Sequence, residues 1–414
     1  RLRAWHDLLA SEPHVAGSPG DERQVERLAA AFADMGLEVE KHEIWVYLSR
    51  PVAAVLELIE DAPARRDRRS SDGPRSRPLV IKETMLPEDV DSSNPDLAWG
   101  WNAYSGSGEV TGEIVYANQG TRADFARLRE LGVDVRGKIV LCRYGGNFRG
   151  YKVKYAEEAG AIGVVIFTDG GDGKVPTYPA GGAPNDSCIE RGSINTLDYP
   201  GDPLTPGFES TKDARRLDAA AIGLPRIPVQ PIGWGAAREI LIAMASGNEQ
   251  ARPAGGEPGV AAGVRAPAPP PPLPENWSSR IPVPHQVIGG PGVRLRLKVE
   301  QERELVRTWN VIGTLRGAAA PSECLLVGSH HDAWGFGACD PAAGTICTME
   351  GARVFAEAAR AGRPPKRTMK FCAWGAEEFG IIGSTEWVES RRDELTSRAL
   401  AYINLDMSAM GPNF

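Results

Sequence analysis

The sequence predicts an α/β protein: a sheet with helices on both faces, interrupted by an inserted β-rich domain. Three observations predict it. From about Leu295 onward, short apolar runs alternate with runs of helical periodicity. Between Trp99 and Gly233 the pattern changes to shorter strands punctuated by short helices. A stretch rich in Pro, Ala and Gly, Ala251–Pro274, then separates the two patterns and reads as an exposed linker. A chain of 414 residues also exceeds what one ordinary core organises, so more than one domain is expected.

Taken in order, Asp21 to about Met35 reads as an amphipathic helix. Val25, Leu28, Ala29 and Phe32 recur at the helical spacing, and Gly36 suits the C-terminal cap. Strands are expected at Val39–Leu48 and Ala53–Ile59, and the charged, aperiodic Ala64–Pro78 reads as an exposed loop. In the insert, Glu113–Ala117, Lys138–Arg143 and Gly163–Asp169 are strands, with helices near Arg122–Leu131 and Tyr151–Ala159. A helix at Ala236–Ala245 leads into the linker. Beyond it, strands Leu295–Val299, Asn310–Leu315, Cys324–His330, Thr368–Trp374 and Leu400–Asp406 enclose helices Ala342–Ala359 and Ser384–Arg392. Apolar strands separated by helices imply a largely parallel sheet. The domains divide as 1–98, 99–275 and 276–414.

Composition narrows the functions. Forty-seven basic against 54 acidic residues give a net charge of −7, which argues against a nucleic-acid partner. No run of eighteen apolar residues could span a membrane. The chain opens on Arg1 with no signal-like segment, so any targeting information is expected upstream. Six cysteines without CxxC spacing read as small buried apolar residues rather than a disulfide framework or a zinc site.

The chemistry gathers at three strand ends. In SHHDAWGFGACDPAAG, His330 ends a strand and Asp340 precedes a helix starting near Pro341. Gly335 and Gly337 let the loop between them fold back, so imidazole and carboxylate can meet. Asp332 stands where it could fix the histidine tautomer. Alone, a His near an Asp is more often an ordinary surface hydrogen bond than a metal ligand. Glu377 and Glu378 follow the next strand, between apolar flanks. Adjacent carboxylates there are ordinarily solvated charges opening a helix, but apolar flanks suit a cleft, with one coordinating a metal and the other moving protons. Asp406, which could merely cap a turn, closes the set. Oxygen ligands mixed with imidazole suit zinc, and two zincs about 3.5–4 Å apart need a bridging carboxylate, for which Asp340 is the candidate. No GxSxG elbow, Walker motif or GxGxxG fingerprint competes.

With these residues in hand, the sequence resembles the glutamate carboxypeptidase II family of co-catalytic zinc peptidases, which includes the transferrin receptors. The similarity runs from PHVAGS at Pro13 through Asp406, and its most specific pieces are GDPLTPGF, TWNVIGTLRG, SHHDAWGFGACDPAAG, WGAEEFGIIGSTEW and AYINLD. The resemblance implies a zinc-exopeptidase sheet carrying a protease-associated insert. It implies His330 and Asp406 on one zinc, Glu378 on a second, Asp340 bridging them and Glu377 as general base. It implies a structural calcium held by Glu386 and Glu389 side chains, with Thr205 and Phe208 contributing backbone oxygens. Arg149 matches an arginine that grips the substrate's terminal carboxylate, a task its bidentate fork suits. Ser193 stands where the glutamate-specific enzymes carry an asparagine, a departure that leaves the preferred residue open.

The same resemblance implies a small-peptide substrate, a homodimer, and an exported or membrane-anchored ectodomain. It also implies that the second zinc histidine, the remaining substrate arginines and a helical dimerisation domain lie beyond Phe414, so that residues 1–414 alone bind the second zinc weakly and are inactive. Two alternatives stay open. One is a non-catalytic receptor-like relative, opposed by the presence of all four candidate ligands. The other is an aminopeptidase, which needs an acidic anchor where Arg149 favours a free carboxylate.

Overall fold

The computed structural model describes residues 1–61, 73–170, 174–250, 270–290 and 292–408. The chain opens with α1 (Leu2–Leu9) and α2 (Pro19–Asp34). Helix α2 starts on Ser18, whose hydroxyl accepts from the Asp21 amide at 3.2 Å with Pro19 in the first turn, and the chain leaves it through Gly36 at φ +81°.

Next comes β1 (Glu38–Glu60), one strand where the sequence suggested two. It runs antiparallel to the equally long β7 (Val293–Leu315), interrupted only by a bulge at Pro51/Ala53. Charged residues between the apolar halves hide this continuity in the sequence. In the fold they pair across the ribbon, as Arg50 does with Glu302 at 2.5 Å and Glu304 at 3.1 Å. Within the expected Ala64–Pro78 loop, Arg75–Pro78 instead forms a short, fully exposed edge strand, β2, against the end of β1. Four exposed residues carry no alternation to announce a strand. The remainder, 64–72, and most of the linker, 251–269, lie outside the described residues.

The insert supplies β3 (Gly108–Tyr116), α3 (Arg122–Glu130), β4 (Ile139–Arg143), α4 (Arg149–Glu158), β5 (Gly163–Phe167), β6 (Val229–Ile232) and α5 (Trp234–Gln250). Its four strands are parallel and share a core with α3, α4, α5 and the far ends of β1 and β7, through Leu56, Leu58, Leu295 and Leu297. After β7 come β8 (Ala320–His330), α6 (Ala342–Arg360), β9 (Arg367–Trp374), α7 (Ile382–Ser390), α8 (Arg392–Arg398) and β10 (Ala399–Asn404).

The strand order is β10-β8-β9-β7-β3-β4-β5-β6. The sheet is therefore mixed rather than largely parallel. Two parallel blocks are joined through β7, which pairs antiparallel with β9 near one end and with β3 near the other. Helices cover both faces of the block containing β8 and β9. Phe32 of α2 and Met349 of α6 pack with Phe371 on one side, and Trp387 of α7 packs with Cys372 and Trp374 on the other. Cys142, Cys324 and Cys372 are buried, as their apolar contexts imply, whereas Cys188 and Cys347 are half-buried and Cys339, in the loop before α6, is exposed, contrary to the expectation for all six. Among the described residues, no helix is long and apolar enough to cross a membrane.

Candidate metal centre

Strands β9, β8 and β10 are parallel neighbours, so their carboxyl ends lie side by side, and the chain leaving each delivers one cluster. His330 is the last residue of β8, Glu377 and Glu378 follow β9, and Asp406 follows β10. His330 is buried, and its Nε2 stands 3.0 Å from Asp340 Oδ1, 3.3 Å from Asp406 Oδ1 and 3.9 Å from Glu377 Oε2. Ligand atoms of His330, Asp340 and Asp406 all lie within 4.8 Å of one another. Glu378 lies outside that trio, and among the charges acting on it Asp340 comes first.

The loop from His331 to Asp340 folds back as its glycines require. Gly337 sits at φ +63°, and its carbonyl accepts from Ala342 as α6 begins. The Gly335 carbonyl accepts from the His14 amide at 3.1 Å, so the PHVAGS segment braces this loop from behind. Thr345 caps the geometry by donating to the His330 carbonyl at 2.6 Å.

Asp332 has more than one contact. Its backbone carbonyl faces His330 Nδ1 at 2.9 Å, and its carboxylate stands 3.5 Å from the same nitrogen. A proton on Nδ1 donates to that carbonyl and leaves Nε2 bare toward Asp340 and Asp406, the tautomer a metal ligand needs. The Asp332 carboxylate also accepts from the Glu377 amide at 2.9 Å and the Glu378 amide at 3.3 Å. One side chain thus locks two of the three loops together.

The electrostatics match a cation site. Burial disfavours charge on His330, yet Asp332, Asp340 and Asp406 hold its imidazole well above the ordinary range. Burial raises Glu378 well above the usual carboxylate range, with Asp340 adding repulsion. Glu377 is pushed up to about 7, first by burial and then by Asp332, Asp406 and Asp340, against the opposing pull of His330. Asp340 Oδ1 is buried and makes no well-formed hydrogen bond despite its 3.0 Å approach to the imidazole. An unsatisfied carboxylate oxygen facing an imidazole nitrogen, with further carboxylates beside it, fits a zinc donor set.

The other expected site residues fall in two places. Arg149, opening α4, reaches Glu190 at 3.2 Å, and its buried Nε has no hydrogen-bond partner among the described residues. Its guanidinium packs on Gly192, where any Cβ would collide with it. The neighbouring Ser193 is buried, donating to the Phe379 carbonyl at 3.3 Å and accepting from the Asn195 amide at 3.1 Å. Phe379 follows Glu378 and closes an aromatic wall with Trp334 at 4.9 Å and Trp101 at 6.2 Å. Away from this region, Glu386 accepts from the amides of Asp202 at 2.7 Å and Ser210 at 2.6 Å, clamping that loop to α7. Burial pushes Glu386 up to about 8. Glu389 has a buried Oε2 without a hydrogen-bond partner among the described residues. Thr205 donates its hydroxyl to Asp202 at 3.0 Å, while its carbonyl accepts from the exposed Phe208 at 3.3 Å.

The sequence reading passed over Asp21 and its partner. Asp21 Oδ1 stands 3.2 Å from His331 Nδ1 in full burial, while its Oδ2 accepts from Gly17 and from Thr308. An acidic residue in the first turn of a helix signals only a dipole effect, and nothing local announces a buried ion pair.

An imidazole and carboxylates gathered at adjacent strand ends of an α/β sheet form a donor set suited to a divalent metal ion. Comparison with known proteins makes this specific. Residues 310–413 match peptidase family M28 and residues 110–192 match the PA domain. The chain thus combines a segment similar to the M28 peptidases with a segment similar to the PA domain. It is 36% identical to a probable glutamate carboxypeptidase of Arthroderma benhamiae, across 99% of this chain and 53% of that protein. It is 35% identical to the aminopeptidase NAALADL1 of Mus musculus, again across 99% and 53%. The chain thus spans about half the length of the curated relatives it matches. A zinc aminopeptidase of Bacillus subtilis shares the fold at TM-score 0.53 and 17% identity, over 98% of this chain and 68% of that one.

Proposed function

We propose that this chain provides the catalytic centre of a two-zinc exopeptidase of carboxypeptidase type, acting on small peptides. The observation carrying this reading is His330 Nε2 turned toward Asp340 and Asp406, with Glu377 at 3.9 Å. His330 and Asp406 would hold one ion, Glu378 the other, and Asp340 both. Bound zinc supplies Lewis acidity, which activates water and stabilises the oxyanion. Glu377, 3.9 Å from His330 Nε2, would take the proton of the attacking water and deliver it to the leaving amine. Asp332 keeps Glu377 and Glu378 at fixed distance from His330 through their amides.

Removal of metal is the test. Dialysis of the intact protein against a strong chelator should abolish peptidase activity, and two equivalents of zinc should restore it. Calcium added alone should raise the melting temperature without restoring activity, because Glu386 and Glu389 lie on α7 against the loop holding Thr205 and Phe208. Full activity after chelation would end the zinc reading, and an unchanged melting temperature with calcium would end the calcium one.

Names among the relatives include both carboxypeptidases and an aminopeptidase. The observation favouring carboxyl-terminal recognition is Arg149, whose guanidinium packs on Gly192, the chain neighbour of Ser193, which donates to the Phe379 carbonyl beside Glu378. Arg149→Ala should therefore raise KM about tenfold or more for peptides with a free terminal carboxylate. It should leave KM for their amides unchanged. Equal effects on both substrates would favour the aminopeptidase.

A further inference from the structure

Asn310 is a polar residue in an apolar stretch of β7, and it is fully buried. A buried amide must find partners for two donors and an acceptor or it destabilises the fold. Asn310 finds all three. Its Oδ1 accepts from the Gly375 amide at 3.0 Å, and its Nδ2 donates to the Gly383 carbonyl at 2.8 Å. Gly375 opens the loop that carries Glu377 and Glu378, and Gly383 stands in the first turn of α7, which closes it. The amide therefore staples the loop at its neck, opposite the Asp332 carboxylate that holds it at its tip.

The second Nδ2 proton points at His42 Nδ1, 3.0 Å away. Because Gly375 donates to the amide oxygen, the amide orientation is fixed, and His42 Nδ1 must accept. The imidazole proton is then on Nε2, which donates to Glu209 Oε1 at 2.6 Å. Glu209 belongs to the loop whose Asp202 and Ser210 amides are clamped by Glu386 of α7. A single directed chain of hydrogen bonds, Asn310 to His42 to Glu209, thus joins that loop to the neck of the loop bearing the two glutamates. A Cβ at Gly383 would strike Asn310 Oδ1, so this approach tolerates nothing larger than glycine.

We infer that Asn310 is the positioning residue for Glu377 and Glu378, and that His42 and Glu209 hold its amide in the working orientation. The inference rests on the peptidase reading for its kinetic test only. Asn310 touches no substrate. It acts by keeping Glu377 within reach of the reacting water, where a displacement of about 1 Å costs on the order of 100-fold in rate.

The test uses the intact, zinc-loaded protein. Asn310→Ala should lower kcat about 100-fold with KM within about twofold of wild type. Amide hydrogen exchange across 375–383 should quicken in the same variant, while exchange in β4 and β5 stays unchanged. Glu209 is partly exposed, so its substitution disturbs core packing less than that of the fully buried Asn310. Glu209→Ala should lower kcat roughly tenfold, as loss of an outer-shell partner does, and Glu209→Gln, which still accepts from His42, should restore it. Wild-type kcat in a folded Asn310→Ala overturns the inference. If that variant does not fold, equal kcat in Glu209→Ala, Glu209→Gln and wild type overturns it instead. An inactive wild type counts against the peptidase reading, and exchange at 375–383 then decides the positioning role by itself: faster exchange upholds it and unchanged exchange ends it.

Discussion

Replacing Glu377 by Gln is expected to lower kcat by about 10²–10⁴-fold while zinc content stays at the wild-type level. The substitution keeps shape, volume and one hydrogen-bonding oxygen, so neither the loop nor its neighbours need move. What it removes is the capacity to take and return a proton. The loop is held through main-chain groups, the Glu377 and Glu378 amides on Asp332 and the Gly375 and Gly383 backbone on Asn310. None of these involves the Glu377 carboxyl. His330→Ala provides the contrast, since it removes the imidazole common to every short contact in the cluster and should lose zinc together with activity. Steady-state kinetics and elemental analysis on the same preparations separate the two cases. A Glu377→Gln protein with undiminished kcat would remove the proton shuttle from the mechanism.

The second large effect is expected at Gly344, in the first turn of α6, where a Cβ would overlap the carbonyl oxygens of Leu405 and Asp406. Both are backbone atoms, so no rotamer change relieves the overlap. The segment after β10 is pinned from the other side by the Leu405 amide on the Gly328 carbonyl at 2.9 Å. Relief must therefore carry Asp406 away from His330, from which it now stands 3.3 Å. Gly344→Ala should cost about 1–3 kcal/mol of stability and on the order of 100-fold in activity, with weaker zinc retention. Gly351→Ala, in the same helix, is the control. Its Cβ meets only the Phe371 ring at 3.7 Å, and alanine in place of glycine should stabilise the helix by about 0.5–1 kcal/mol. Indistinguishable behaviour of the two variants in thermal denaturation and kinetics would refute the steric account.

The sequence was most legible where an element's burial leaves a plain apolar pattern. The α2 helix shows its period because one face is buried, while the insert strands β4 and β5 and the strand leading to Trp374 show as short continuous apolar runs because both their faces are buried. It was least legible along β1 and β7. Their central residues meet solvent and each other's charges, so the pairing of Arg50 with Glu302 and Glu304 leaves no apolar trace. The short β2 was hidden for the same reason. The candidate ligands were legible from their placement at strand ends and their apolar flanks. The groups that hold them were not. Asp332 was legible only as a partner for His330, whereas its carboxylate also binds two backbone amides more than forty residues away in sequence. Asn310 showed only as a polar residue in an apolar stretch, and Asp21 and His42 gave no local sign of their partners.

By itself, then, the sequence determined which residues could do chemistry, in what order along the chain, and on which kind of element each would stand. The tertiary structure alone decided that β9, β8 and β10 are adjacent and parallel, which sets His330, Asp340 and Asp406 within 4.8 Å of one another. It alone decided which buried amide and carboxylate would fix the loop between β9 and α7. Periodicity reports burial, which each element expresses in its own residues. Strand order and hydrogen-bond direction belong to pairs of elements distant along the chain, and only their packing brings such partners together.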